Sequence, residues 1–304
     1  MANLLTRRQS LALGMAALRG PRPWFAGTFL QLWAAHLEWP EERWRSLFGY
    51  LGQLGTGEVI VQWCAYDRYD YTSLCVRLLA LAGEHGMRMR IGLRHESSWW
   101  QDLEAAPESA LARLTPRALQ AVHELKPLFQ RHGAFAGWYL PEEIDDAHWT
   151  APPRTTALLD TLKSIHGAAG SFSLSGFTNR ALPPRALAAW WRRVAKPAGL
   201  KSVLFQDGIG AGKLSLEDWP GYAEELQRAL GARFRVVVET FESTGGAGGF
   251  QAVPAPVSRI RRQCEIARRC SGRAPIAFSL PEYCTPLGGS AAAALHEQIV
   301  HHME

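Results

Sequence analysis

Eight short apolar runs, each followed by a helix-like stretch, set the strongest limit on what this chain can become. The runs fall at Phe25–Trp33, Glu58–Trp63, Met87–Leu93, Phe135–Leu140, Ser171–Phe177, Ser202–Gln206, Arg235–Thr240 and Ile276–Leu280. Helical patterns follow from Glu41, over Tyr71–His85, over Pro107–Arg131 with a break expected near Pro116, and over Arg154–His166. Four more run from Pro183-Pro184 to Lys196, then over Trp219–Leu230, Val257–Cys270 and Ala291–His302. Punctuation agrees with this division: Pro40 precedes the first helix, while Gly86 and Gly231 stand where helices stop. Strands that alternate with helices build parallel βα units. Eight such units fit a single (β/α)8 TIM barrel over residues 23–304, since that fold needs about 250 residues. The runner-up, an open doubly wound sheet, is weakened by the lack of a G-x-G-x-x-G motif after the first strand.

Composition narrows the chemistry. Of 304 residues, 47% are hydrophobic and 20% charged, which supports one large core and argues against intrinsic disorder. The net charge of +5 resides mostly in scattered arginines, the pattern of a solvated surface, and no nucleic-acid-binding motif accompanies it. Cys64, Cys75, Cys264, Cys270 and Cys284 form no C-x-x-C pair and no zinc-ligand spacing. No cofactor or metal is expected. Gly208–Leu214 imitates a phosphate loop but has Asp207 where the first glycine belongs and Leu214 in place of the final Ser or Thr, so nucleotide binding is rejected. The glycines of Ser243–Gly249 suit a mobile lid instead.

The first residues carry a different signal. Arg7-Arg8 precedes a short apolar stretch, Leu11–Leu18, which resembles a twin-arginine export signal over residues 1–22. A periplasmic or secreted protein is the expectation and a cytoplasmic one the alternative. No apolar run approaches the roughly 18 residues of a membrane span.

In a TIM barrel the chemistry lies where strands end. The residues there include Gln31, Gln62, Trp63, Arg94, His95, Glu96, Tyr139, Glu142, Glu143, Gln206, Asp207, Glu239, Glu282 and Tyr283. Glu239 follows Val236-Val-Val238 within a strand. There a carboxylate either points into the barrel mouth or is buried at a large desolvation cost, with a salt bridge to Arg94 as its structural explanation. Glu142 and Glu143 are adjacent and point opposite ways in an extended segment; Glu143 shares parity with Tyr139. Two carboxylates facing one sugar are the equipment of a glycosidase: about 5–5.5 Å apart in retaining enzymes, about 6.5–9.5 Å in inverting ones. Twelve tryptophans add aromatic faces, of which Trp63, Trp99 and Trp138 are the candidate sugar platforms.

Five segments in order strengthen this reading: Gly27-Thr-Phe-Leu-Gln31 with Trp44 downstream, Val59-Ile-Val-Gln-Trp63, Gly137–Asp145, Gln206-Asp-Gly-Ile-Gly210 and Val238-Glu-Thr-Phe-Glu242. From about Phe25 to Pro286 the chain resembles an uncharacterised bacterial family placed among the TIM-barrel glycoside hydrolases. The resemblance implies a glycosidase-like barrel acting on a polysaccharide or oligosaccharide. By analogy with retaining enzymes it implies Glu143 as general acid/base and Glu239 as nucleophile. Gln206, Asp207 and Tyr139 would then orient the sugar, with Asp207 as reserve carboxylate. One departure stands out: Glu142 occupies the place where such enzymes often have Asn to hold the sugar 2-hydroxyl.

Two rivals remain. A non-catalytic carbohydrate-binding barrel, accessory to polysaccharide synthesis or export, accounts for the departure at Glu142. A metal-dependent hydrolase would use His36, His95, Glu96 and Asp207, but no H-x-H or H-E-x-x-H spacing supports it.

Overall fold

The structure is a computed structural model that describes residues 23–245 and 250–303. The expected export signal and the centre of the expected lid, residues 246–249, lie outside the described residues.

Eight strands close into one parallel barrel in chain order. They are β1 Gly27–Leu30, β2 Glu58–Val61, β3 Arg88–Gly92, β4 Phe135–Ile144, β5 Ser173–Gly176, β6 Ser202–Gln206, β7 Phe234–Glu239 and β8 Ile276–Phe278, with β8 pairing back onto β1. Runs such as Val59-Ile-Val61 and Val236-Val-Val238 are apolar on both faces because parallel strands are covered on both sides. Among the described residues, eight helices form the outer layer: α1 Glu41–Gln53, α2 Thr72–Glu84, α3 Pro107–Phe129, α4 Pro152–Ala169, α5 Pro184–Ala195, α6 Trp219–Leu230, α7 Val257–Ser271 and α8 Ser290–His301.

One expectation fails: α3 is not broken at Pro116. A proline inside a helix removes one backbone hydrogen bond and crowds the preceding turn. Here Leu111, Leu114, Ala118, Ala121, Val122 and Leu125 bury a continuous face across that point, and burial of this size outweighs one lost bond.

Inside the barrel, Phe29, Ile60, Tyr139, Leu204, Val237 and Ile276 form a buried layer. Side chains alternate along a strand, so the residue two positions onward shares the same face. That rule carries Phe29 to Gln31, Ile60 to Gln62, Leu204 to Gln206, Val237 to Glu239 and Ile276 to Phe278, all of which line the mouth. Strand β4 runs four residues beyond its expected end. It pairs Leu140 with Leu174 but Ile144 with Gly176, an irregularity spanning Pro141–Glu143. Irregularities of this kind re-aim side chains at barrel rims, and this one presents Glu143.

Four rim features went unread in the sequence. A small sheet joins Ala65–Tyr66, Tyr69–Asp70 and Arg94–His95; a helix spans Trp99–Ala105; Phe241–Ser243 pairs with Ala252–Pro254; and a short helix covers Leu280–Tyr283. They wall the mouth.

Candidate active site

Glu143 and Glu239 face a cleft of about 640 Å³ at the carboxyl ends of the strands. A second lobe of about 330 Å³ adjoins it, and Trp100, Glu143, Gln206, Ala211 and Glu239 line both. The two glutamates therefore stand where the lobes meet. The larger lobe is aromatic: Trp33, Trp63, Tyr66, Trp99, Phe241, Phe250, Phe278 and Tyr283 line it. Trp33 is 40% exposed, Trp100 37% and Phe250 65%, so open ring faces rim the cleft. Trp63 is fixed by its indole N–H, which donates to the Leu32 carbonyl at 2.7 Å, and by stacking on His95.

Among the described residues, the hydrogen bonds to the two glutamate side chains come from neutral groups. Gln206 Nε2 donates to Glu143 Oε1 at 2.6 Å, and the Ala211 backbone N–H donates to Glu239 Oε2 at 2.7 Å. Burial pushes the Glu143 carboxyl above its ordinary range, opposed by the Gln206 hydrogen bond. Glu239, only 3% exposed, is pushed up to about 8, first by burial and then by the neighbouring Asp207. Asp207 is fully buried behind it, accepts from Gln263 Nε2 on α7 at 2.6 Å, and rises to about 6 by burial. Two interacting carboxyls titrate as a unit, and burial favours the protonated form of both. Glu282 is a third cleft carboxyl, raised to about 8 by burial and hydrogen-bonded by Ser279.

The expected site residues divide into two groups. Gln31, Gln62, Trp63, Trp99, Glu143, Gln206, Glu239, Glu282 and Tyr283 line the cleft together. Glu142, Trp138, Tyr139 and Asp207 do not. Glu142 turns toward the helices, where Arg117 Nη2 donates to its Oε1 at 3.0 Å and His95 lies at 3.3 Å. Trp138 is buried against Phe129 and Phe135 between strand and helix, so it offers no sugar platform. Tyr139 belongs to the layer beneath the site and donates to Ser175 at 2.8 Å. The alternative reading of Glu239, a bridge to Arg94, is not formed: Arg94 pairs with Glu124 at 2.6 Å. Of the metal-hydrolase set, His36 packs on Trp39 and Trp44, and among the described residues no metal-binding group of His, Cys, Asp and Glu assembles.

Sequence reasoning passed over Ala211, Lys213, His148, Phe177, Phe241 and Phe250. All except Phe241 sit in loops, where no periodicity marks the inward face. Phe241 shares the parity of Glu239 and could have been read from it.

Comparisons agree with this architecture. The chain is 27% identical over 258 residues to the uncharacterised protein YbcH of Escherichia coli strain K12, covering 79% of this chain and 84% of that one. Among solved structures it is similar to a candidate alpha-L-fucosidase from Bacteroides thetaiotaomicron, with a TM-score of 0.71, 17% identity and coverage of 94% and 98% of the two chains. It is also similar to the exo-beta-1,4-mannosidase Op5Man5 from an Opitutaceae bacterium (strain TAV5), with a TM-score of 0.55, 15% identity, and coverage of 91% of this chain and 55% of that one. The intracellular xylanase TsXylA of Thermoanaerobacterium saccharolyticum gives a TM-score of 0.53 at 9% identity, covering 84% and 86%. At these identities the likeness is one of fold, a TIM barrel. Residues 25–288 match the family described as domain of unknown function DUF4434, and the chain belongs to that family.

Proposed function

We propose that this protein is a retaining glycoside hydrolase acting on a polysaccharide or oligosaccharide, with Glu143 as general acid/base and Glu239 as nucleophile. The observation that carries the reading is a pair of carboxyls, neither in a salt bridge among the described residues, at the junction of two lobes of an aromatic-rimmed cleft. A sugar lying across the junction would place its glycosidic bond between them. Glu143, raised by burial, can hold a proton for the leaving oxygen. Glu239 faces the anomeric carbon, and the Ala211 N–H favours its ionised form. The attacking form of Glu239 is the ionised carboxylate, and positive charge developing on the sugar ring stabilises that carboxylate most in the transition state. Open indole and phenyl faces suit the C–H faces of pyranose rings.

The test is release of reducing ends from a panel of polysaccharides by the wild type, Glu143→Gln and Glu239→Gln. Turnover by the wild type with loss in both variants supports the reading; full activity in Glu239→Gln removes it.

One observation favours a second reading. Glu142 is committed to Arg117, so the place just before Glu143 offers no group for a sugar 2-hydroxyl. A non-catalytic carbohydrate-binding barrel accommodates this. It predicts glycan binding that survives Glu239→Gln and no product from any glycan that binds. Export to the periplasm or beyond is part of the proposal and rests on Arg7-Arg8 and the apolar stretch after them. Measuring the mass of the mature protein after expression from its full gene tests it.

A further inference from the structure

The two lobes differ in charge. Among the described residues no Lys or Arg lines the aromatic lobe, whereas the second is lined by Glu104, Glu143 and Glu239 together with Lys213. Its ammonium group is positioned without a carboxylate partner among the described residues. Lys213 Nζ donates to Asn179 Oδ1 at 2.6 Å and stands 4.0 Å from the centre of the Phe177 ring. An ammonium has three N–H donors and one is used here, leaving two for a ligand.

The segment that carries Lys213 is the glycine-rich stretch that only imitates a phosphate loop. Gly208 has φ 67°, and its carbonyl accepts from the backbone N–H of both Lys213 and Leu214, at 2.8 and 3.1 Å. Gly210 lies so close to β7 that a Cβ there would come within 2.8 Å of Glu239 Cβ. Ala211 then binds Glu239 directly. The loop is thus a strap tied to a candidate catalytic carboxylate, and it holds Lys213 at a fixed place beyond it. His148 lines the same lobe, with Nδ1 2.8 Å from Asp145. Solvent is partly excluded, and burial lowers the proton affinity of Lys213 while Asp145, Glu143, Glu239 and Asp146 raise it.

We propose that the second lobe is a subsite for a sugar bearing an anionic substituent, carboxylate or sulfate, which Lys213 recognises. The inference rests on the cleft being a glycan site and names the substrate class of that same site. An ammonium flanked by neutral Asn179 and an aromatic face is partly desolvated, so an incoming anion meets a strengthened attraction. Trp100, which lines both lobes and is tilted against Phe177, would carry the sugar ring past the junction.

The experiment uses full-length Glu239→Gln protein, titrated calorimetrically with hexuronate and sulfated oligosaccharides. Each is paired with its carboxyl-reduced or desulfated counterpart. The anionic form of one pair should bind about tenfold or more tightly than its neutral form, the effect of one charge-assisted hydrogen bond. The pair that shows it identifies the anion. Adding Lys213→Gln should bring the ratio to within about twofold of one, and Lys213→Arg should restore part of it. A ratio near one for every pair, or a ratio that survives loss of Lys213, overturns the proposal. Wild-type turnover separates the two readings. A charge preference without product from any glycan retires the hydrolase and keeps the subsite. Product from neutral glycans with no charge preference retires the subsite and keeps the hydrolase.

Discussion

The two ends of the barrel bury charge in opposite ways. At the amino-terminal end, Glu58 accepts from Arg90 Nε at 2.6 Å and lies 3.9 Å from Arg235, while Arg90 Nη1 also donates to Ser173 and Ser202. At the carboxyl-terminal end, Glu143, Glu239 and Asp207 are enclosed too, but among the described residues they receive amide N–H groups, from Gln206, Ala211, Gln263, Ile209 and the Glu239 backbone. A buried charge costs several kcal/mol unless it is compensated. The lower end spends its charges on holding strands together. The upper end pairs Glu142 with Arg117 but leaves the cleft carboxyls Glu143 and Glu239 undercompensated, and perturbed carboxyls in a cleft are what proton transfer and nucleophilic attack require.

The contrast breaks most clearly under exchange of single atoms. Glu239→Gln should lower turnover by about 10³-fold or more, as expected when one member of a catalytic unit is lost, with no loss of folding stability. Glu58→Gln should do the reverse, leaving Arg90 buried without its partner at a cost of about 3 kcal/mol in denaturant unfolding, with activity of the folded fraction retained. An activity loss confined to Glu58→Gln would erase the distinction.

The pH dependence sharpens it. Glu239 has a folded proton affinity raised to about 8 against an ordinary value of 4.5. Between those values the unfolded chain has released a proton that the folded one keeps. Stability from this group therefore falls as pH rises through that window. Thermal midpoints measured from pH 5 to 8.5 should decline less steeply for Glu239→Gln than for the wild type. Asp207→Asn removes a like charge, so the acidic limb of kcat/KM should move to lower pH. An unmoved limb would show that Asp207 does not set the protonation of Glu239.

Smaller effects map the cleft. Gly210→Ala would bring a Cβ to 2.4 Å from the Phe241 carbonyl, so the strap must shift and Ala211 must leave Glu239. We expect about 1–3 kcal/mol of lost stability, as for other overpacked sites, with a further drop in kcat. Trp33→Ala and Trp100→Ala should each raise KM about tenfold or less through lost stacking, with kcat nearly unchanged, since uniform binding alone is removed.

Much of the fold was legible because parallel strands enclosed on both faces leave uninterrupted apolar runs, as at Val236-Val-Val238. Strand parity also placed Glu143 on the face of Tyr139 and opposite Glu142. The same parity sets Trp138 opposite Tyr139, a sign that it would face the helices, which the count of strand-end tryptophans obscured. Other features lay beyond local pattern. The partner of Glu142 is Arg117, which reaches it from α3, and no sequence spacing links them. Lys213 and Phe250 sit on loops whose direction is set by tertiary contacts. The α3 helix kept Pro116 because its buried face, not its backbone propensity, decides its length.

The most direct test is to trap the intermediate. The sugar released by the wild type, made as its 2-deoxy-2-fluoro glycosyl fluoride, should inactivate the enzyme with one adduct. Peptide mass mapping should place it on Glu239 in the segment Val236–Glu242. An adduct on Glu143 or Asp207, or turnover with the anomeric configuration inverted, would contradict the account.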